Sequence, residues 1–189
     1  MFFKKINPLF KFFSLTCLFI LLTGCASQQV DLIYSSKGAS MAAINVPEVQ
    51  VMELQNRLSE PYIGINSSGE HFEATTPPTE WVTRALTDEL VRIGVRANYS
   101  GGAAYGNAKT IKGSLDKLWL EQTGAGQYKV KIAITIDMPS SANTFLNQTF
   151  TSEESSFMMP SDKNFSELLE SALRDAVVPA AAAVKNRLQ

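Results

Sequence analysis

The sequence predicts an α+β fold, a mainly antiparallel sheet of about four to five strands with two helices packed on one face. Three stretches lead to it. Tyr128, Val130, Ile132, Ile134, Ile136 and Met138 alternate with Lys129, Lys131, Ala133, Thr135 and Asp137, as in a strand with one core face and one wetter face. Val82, Ala85, Leu86, Leu90 and Ile93 recur at helical spacing, and so do Phe165, Leu168, Leu169, Ala172, Leu173, Ala176 and Val177.

The remaining elements follow in chain order. Val46, Val49 and Val51 lead through Met52 and Leu54 to Gln55-Asn56-Arg57, a first strand running into a polar turn. Ile63-Gly64 and Glu70 to Phe72 form a second, irregular strand around the turn at Ser67-Ser68-Gly69. Thr76 offers a cap to a helix over residues 78–93, Pro78 suits its first turn, and Gly94 stops it. Residues 100–106 read as a small-residue loop. Residues 110–121 make a strand whose alternation shifts near Lys117, as a bulge causes. Residues 123–126 turn the chain into the alternating strand; residues 139–143 turn it again, and residues 144–152 return as a partner. The last helix spans about residues 164–187, with Ser161 and Asp162 as candidate caps. Pro179 lies inside it, so a kink or break is expected there, after which the alanine-rich end resumes or frays.

The N-terminus has a separate logic. Lys4, Lys5 and Lys11 precede an apolar run over residues 12–22, about half the roughly 20 residues a bilayer-spanning helix needs. It reads as an export leader. Leu22-Thr23-Gly24-Cys25 follows, a branched apolar residue and two small ones before a thiol, which resembles the bacterial lipobox. The expected organisation is a removable signal peptide over 1–24, a lipidated N-terminus and tether over 25–43, and a single α+β domain over 44–189. Cys25 would carry diacylglycerol and further acyl chains such as palmitate, each buried methylene adding about 0.8 kcal/mol to the anchor. Cys17 leaves with the leader, so no thiol remains for a disulfide, a zinc site or a nucleophile.

Composition narrows the function further. The 189 residues, 45% hydrophobic and 19% charged, suit one domain rather than two. With the three leader lysines removed, 14 basic residues face 18 acidic ones, a formal −4, which is no field for nucleic acid. His71 is the single histidine and reads as a surface ring rather than a metal ligand or a triad member. Glu153-Glu154 and Asp88-Glu89 are neighbours in sequence, so their side chains diverge and support no paired-carboxylate mechanism. Gly101, Gly102 and Gly106 lack the lysine-serine pair of a phosphate loop. Trp81, Trp119, Tyr128 and Phe157 are contact candidates or simply core aromatics. Arg57 either ends a solvated turn or fixes it by bonding carbonyls or a carboxylate. No catalytic residue, metal ligand or cofactor is expected. The uncovered sheet face, with Lys129, Lys131, Thr135 and Asp137, is the expected contact surface.

Several motifs together resemble the YajG-type family of bacterial lipoproteins. They are the Leu-Thr-Gly-Cys lipobox, the early strand ending Gln55-Asn56-Arg57 before Ile63-Gly64, the helix end from Leu86 to Gly94, the long alternating hairpin, and Ser161-Asp162-Lys163-Asn164 before the last helix. Where that family often has an acidic residue two before the arginine, this chain has Gln55. A broader likeness is to the auxiliary lipoproteins of envelope-transport machines. The resemblance implies a lipid-anchored protein of the cell outer membrane facing the periplasm, without catalytic residues. The absence of Asp after Cys25, where Ala26 and Ser27 stand, implies the same sorting. The expected function is a non-enzymatic envelope lipoprotein that binds a protein or envelope component. The alternative is an accessory in lipid or lipopolysaccharide transport. The expected partners are the membrane, through Cys25, and an unidentified envelope component.

Overall fold

The computed structural model describes residues 27–101, 109–138 and 146–189. In chain order the elements are β1 (Ser27–Val30), β2 (Val49–Met52), β3 (Gln55–Asn56), β4 (Gly64–Ile65), β5 (His71–Ala74), α1 (Pro78–Arg92), β6 (Ala97–Ser100), β7 (Lys109–Gly124), β8 (Gln127–Met138), β9 (Leu146–Phe157) and α2 (Asp162–Leu188). The leader, Cys25 and most of the expected glycine loop lie outside the described residues.

The sheet differs from the expected one. In place of four to five mainly antiparallel strands, the described residues form a nine-stranded mixed sheet built around β7. One edge of β7 pairs antiparallel with β8, and β8 with β9. Along its other edge three short strands line up parallel to it: β2 opposite residues 109–111, β3 opposite 114–115 and β4 opposite 120–121. Beyond them β6 pairs parallel with β2, β5 antiparallel with β4, and β1 parallel with β5. Each added strand has only two to four residues, too few for a period of two to show in sequence. Their order is set by the length of β7, which offers three successive docking places on one edge.

β7 is usable along its length because of its irregularity. The register to β8 shifts between Leu115 and Lys117, so Asp116 is an extra residue. Before it Ile111 and Leu115 face inward, and after it Leu118 and Leu120 do. Without the bulge the second pair would point to the other face, because a one-residue shift inverts a strand. Opposite them Val130, Ile132, Ile134 and Ile136 are fully buried. Full burial of such a side chain contributes about 1.5–3 kcal/mol.

Both helices pack against this inner face and against each other. α1 starts at Pro78 behind Pro77; the expected Thr76 cap is not used, since Pro77 holds the cap position and makes no side-chain bond. It ends in a Schellman turn: the Val95 N–H donates to the Leu90 carbonyl, that of Gly94 to Val91, and Gly94 has φ +88°. α2 is capped by Ser161, whose hydroxyl oxygen accepts from the Asn164 N–H. The kink or break expected at Pro179 does not interrupt it; the helix runs on to Leu188. Pro179 lies on the exposed stripe, as does Asp175 one turn earlier, so the carbonyl freed by the missing N–H faces water.

Residues 31–45 cross both helices. The Ser166 hydroxyl donates to the Asp31 carbonyl, Arg174 to that of Ser35, and the Tyr34 hydroxyl to Glu89. Further on, the Met41 and Ile44 N–H groups donate to the Arg92 and Gly94 carbonyls.

Candidate functional site

The helices leave the other face of β7, β8 and β9 open. The four residues expected on it, Lys129, Lys131, Thr135 and Asp137, do share it, each half-buried between two fully buried neighbours. None stands alone. Lys129 Nζ lies 2.5 Å from Glu153 Oε1, and Lys131 Nζ 3.8 Å from the other oxygen. The Lys129 hydrogen bond holds the Glu153 carboxyl below its ordinary range. Asn147 donates to the Asp137 carboxylate. Thr135 donates to Asp116 at 2.5 Å and lies 2.8 Å from the Thr149 hydroxyl.

Asp116 is the hub of this polar group. Extruded by the bulge, it also accepts from the Ser114 hydroxyl at 2.7 Å and lies 3.8 Å from Arg57. The structure shows a part of each reading of Arg57: its side chain is largely exposed with the guanidinium beside the Asp116 carboxylate, while the bond to the Leu115 carbonyl comes from its backbone N–H. The pair is worth little, because the Arg57 side chain is 61% exposed. The shifted alternation near Lys117 signals the bulge, but not the carboxylate it presents.

A second group borders it. Tyr62 stacks on His71 with ring centroids 3.9 Å apart and lies 5.8 Å from Trp119, whose indole N–H donates to Glu121. His71 is thus one plate of an aromatic stack. Tyr62 carries no signal in sequence, since the fold-back of β4 and β5 alone brings it here. The other aromatic candidates divide. Trp81 and Tyr128 are core, Tyr128 against Phe165, and burial pushes the Tyr128 hydroxyl up. Phe157 is 82% exposed.

The adjacent acid pairs diverge as expected. Glu153 faces the lysines, while Glu154 faces α2, where it accepts from the Ser171 hydroxyl. Burial, with Asp175 beside it, pushes the Glu154 carboxyl up. Glu89 is 1% exposed and is held by Tyr34 at 2.7 Å and Arg92 at 2.6 Å. Burial and the hydrogen bond to Glu89 push the Tyr34 hydroxyl well above its usual range. This cluster, absent from the sequence reading, anchors residues 31–45 to α1. Among the described residues no group of His, Cys, Asp and Glu could hold a metal ion. Two open grooves of about 440 and 480 Å³ flank the helices. The first mixes Met158, Met159 and Leu168 with Glu154, Glu167 and Ser171; the second lies between residues 40–48 and the end of α1.

Comparison with solved structures finds this arrangement elsewhere. Protein XCC0632 from Xanthomonas campestris, assigned to the family model DUF330, superposes with a TM-score of 0.62 at 11% identity, over 84% of this chain and 94% of that one. The fold is that of XCC0632. PelC from Paraburkholderia phytofirmans, solved as a dodecamer, gives a TM-score of 0.47 at 13% identity over 75% of this chain and 93% of that one. An uncharacterized lipoprotein B from Nitrosomonas europaea gives 0.39 at 10% identity over 83% and 96%. At those scores the last two add no argument. No family model and no curated protein matches the sequence. The likeness to XCC0632 is one of fold, and the four residues of the open face owe nothing to it.

Proposed function

We propose that the chain is a non-enzymatic envelope lipoprotein, anchored through Cys25 in the cell outer membrane, that binds a protein or envelope component in the periplasm through its open sheet face. The observation that carries the binding role is the uncovered face of β7, β8 and β9. It sets the Lys129–Lys131–Glu153 group beside the Asp116 hub and the Trp119–Tyr62 pair. Mixed charge with half-exposed aromatics is the composition of a contact surface, where a few aromatic anchors supply affinity and charges supply register. The anchor rests on the lipobox, and the outer-membrane assignment on Ala26 and Ser27 and on the YajG-type resemblance. A role in lipid handling is less favoured, since carboxylates interrupt the groove beside α2.

Two measurements test this reading. Cys25→Ser, which removes the thiol that accepts diacylglycerol, is expected to shift the chain from the membrane to the soluble fraction of fractionated cells. Unchanged membrane retention would refute the anchor.

The double variant Lys129→Gln and Lys131→Gln tests the face. Neutralisation is cleaner than reversal, because glutamates there would crowd Glu153. Stability is expected to change by under about 1 kcal/mol, as for partly exposed ion pairs, while in-cell crosslinking of the native partner falls severalfold. Wild-type capture with an unchanged melting curve would exclude the lysines from the contact.

A further inference from the structure

One end of the sheet carries two bare apolar side chains. Phe157 and Met159 are 82% and 81% exposed, the two largest values among the exposed large hydrophobic residues described. Phe157 ends β9 and Met159 stands two residues beyond it, and the Phe157 ring lies over the β7–β8 turn, about 3.2 Å from where a Cβ on Gly126 would be. Neither has a structural task in the core.

The chain enters the domain at this same end. The strand registers link Ser27 to His71, His71 to Ile65, Ile65 to Glu121, Glu121 to Lys129 and Lys129 to Ser155. These residues form one row across the sheet. Beyond it lie the turn at residues 66–70, the turn at 125–126, and Phe157 and Met159. β1 lies beside the start of α2, since Gln28 donates to Asp162, three residues after Met159. β1 runs parallel to β5, which leads away from the turn at 66–70, so the chain arrives from the side of the turns.

Cys25 precedes Ser27 by two residues, and two residues span about 7 Å at most. No polymer-like linker fits between anchor and sheet. We infer that this end of the domain lies against the bilayer that holds the Cys25 acyl chains, with Phe157 and Met159 inserted among the lipid headgroups and upper acyl chains. The inference rests on the anchor proposed above and adds a fixed orientation: the long axis of β7 rises from the membrane, and the open face stands beside it rather than toward it. The occupant is a lipid surface because the anchor brings one within reach of these two side chains. The charged groups of this end are mostly spoken for. Glu70 accepts from Asn66, Glu73 from Gln29, and Lys163 lies near Glu167. Insertion is therefore apolar in origin, in the manner of interfacial side chains.

The test uses the full-length chain, processed in cells and reconstituted into phosphatidylethanolamine–phosphatidylglycerol vesicles. Phe157→Cys, Met159→Cys and, as reference, Val91→Cys each carry a nitroxide, and collision with oxygen and with a water-soluble nickel complex is read by electron paramagnetic resonance. Val91 lies at the opposite end, beside Ala97 and the start of β2. Positions 157 and 159 are expected to show a severalfold higher ratio of oxygen to nickel collision than position 91. Ratios equal to that at 91 would overturn the inference, and protection from both reagents would overturn it in favour of a second copy of the chain. The mass of the N-terminal peptide separates the two failures. Acylated Cys25 with label 157 in water sinks only the orientation, whereas unmodified Cys25 removes the anchor and the orientation with it.

Discussion

Gly64→Ala is expected to be the most damaging methyl group added at any of the described glycines. A Cβ built at Gly64 falls 1.8 Å from the Leu120 carbonyl oxygen and 2.7 Å from its carbon, both backbone atoms of the strand it pairs with. A flexible side chain could move aside, but a sheet backbone cannot. β4 would have to leave β7, and β5 and β1 hang from β4. Overpacking a well-filled core commonly costs about 1–3 kcal/mol and occasionally more, and here the loss should reach or exceed the top of that range. Urea melts of the full chain check it. A loss below about 1 kcal/mol, the usual size of a mild substitution, would mean that the β4–β7 approach is looser than described.

Ile134→Ala is the second large effect. Ile134 is fully buried, paired with Leu115 on β7 and Phe150 on β9. Truncation removes burial and leaves a cavity in a three-strand centre that cannot collapse, a loss of about 2–5 kcal/mol. Thr135→Ala, on the opposite face, loses hydrogen bonds to Asp116 and Thr149 at a partly exposed site. Its cost should be about 0.5–1.5 kcal/mol. Equal losses in the two melts would refute the assignment of faces.

Some of this architecture was legible because it is local. The alternation over residues 127–138 and the stripes of α1 and α2 each repeat often enough to be read, and Gly94 and Ser161 end and begin helices by chemistry confined to a few neighbours. What escaped is non-local. β3 is two residues long and exists only because β7 offers it an edge, and β1 is four residues long and exists only because β5 does; β4 and β5 were legible only as one irregular strand around a turn. β6 carries no signal of its own, and only its last residue, Ser100, falls in the expected loop, since Ala97 to Ser100 becomes a strand only by pairing with β2. For the site, the four residues of the open face were readable from period two, whereas their partners were not. Glu153, Asp116 and Thr149 arrive from other strands, and the Tyr62–His71 stack depends on a fold-back that no periodicity announces.

The segment that crosses both helices also has a consequence for the order of assembly. Its contacts join distant parts of the chain: Asp31 meets Ser166 and Ser35 meets Arg174, separations of 135 and 139 residues. Closing so long a loop carries a large entropic cost before any contact forms, and proteins rich in such distant pairings fold slowly. The β7–β8 hairpin can zip as soon as its two arms exist. The first strand can pair with β5 early, but the bonds that tie it and the following segment to the last helix wait until that helix is present. The crossing segment therefore stays only partly docked until residues 162–174 have been made, and it is the last part of the described fold to be locked down.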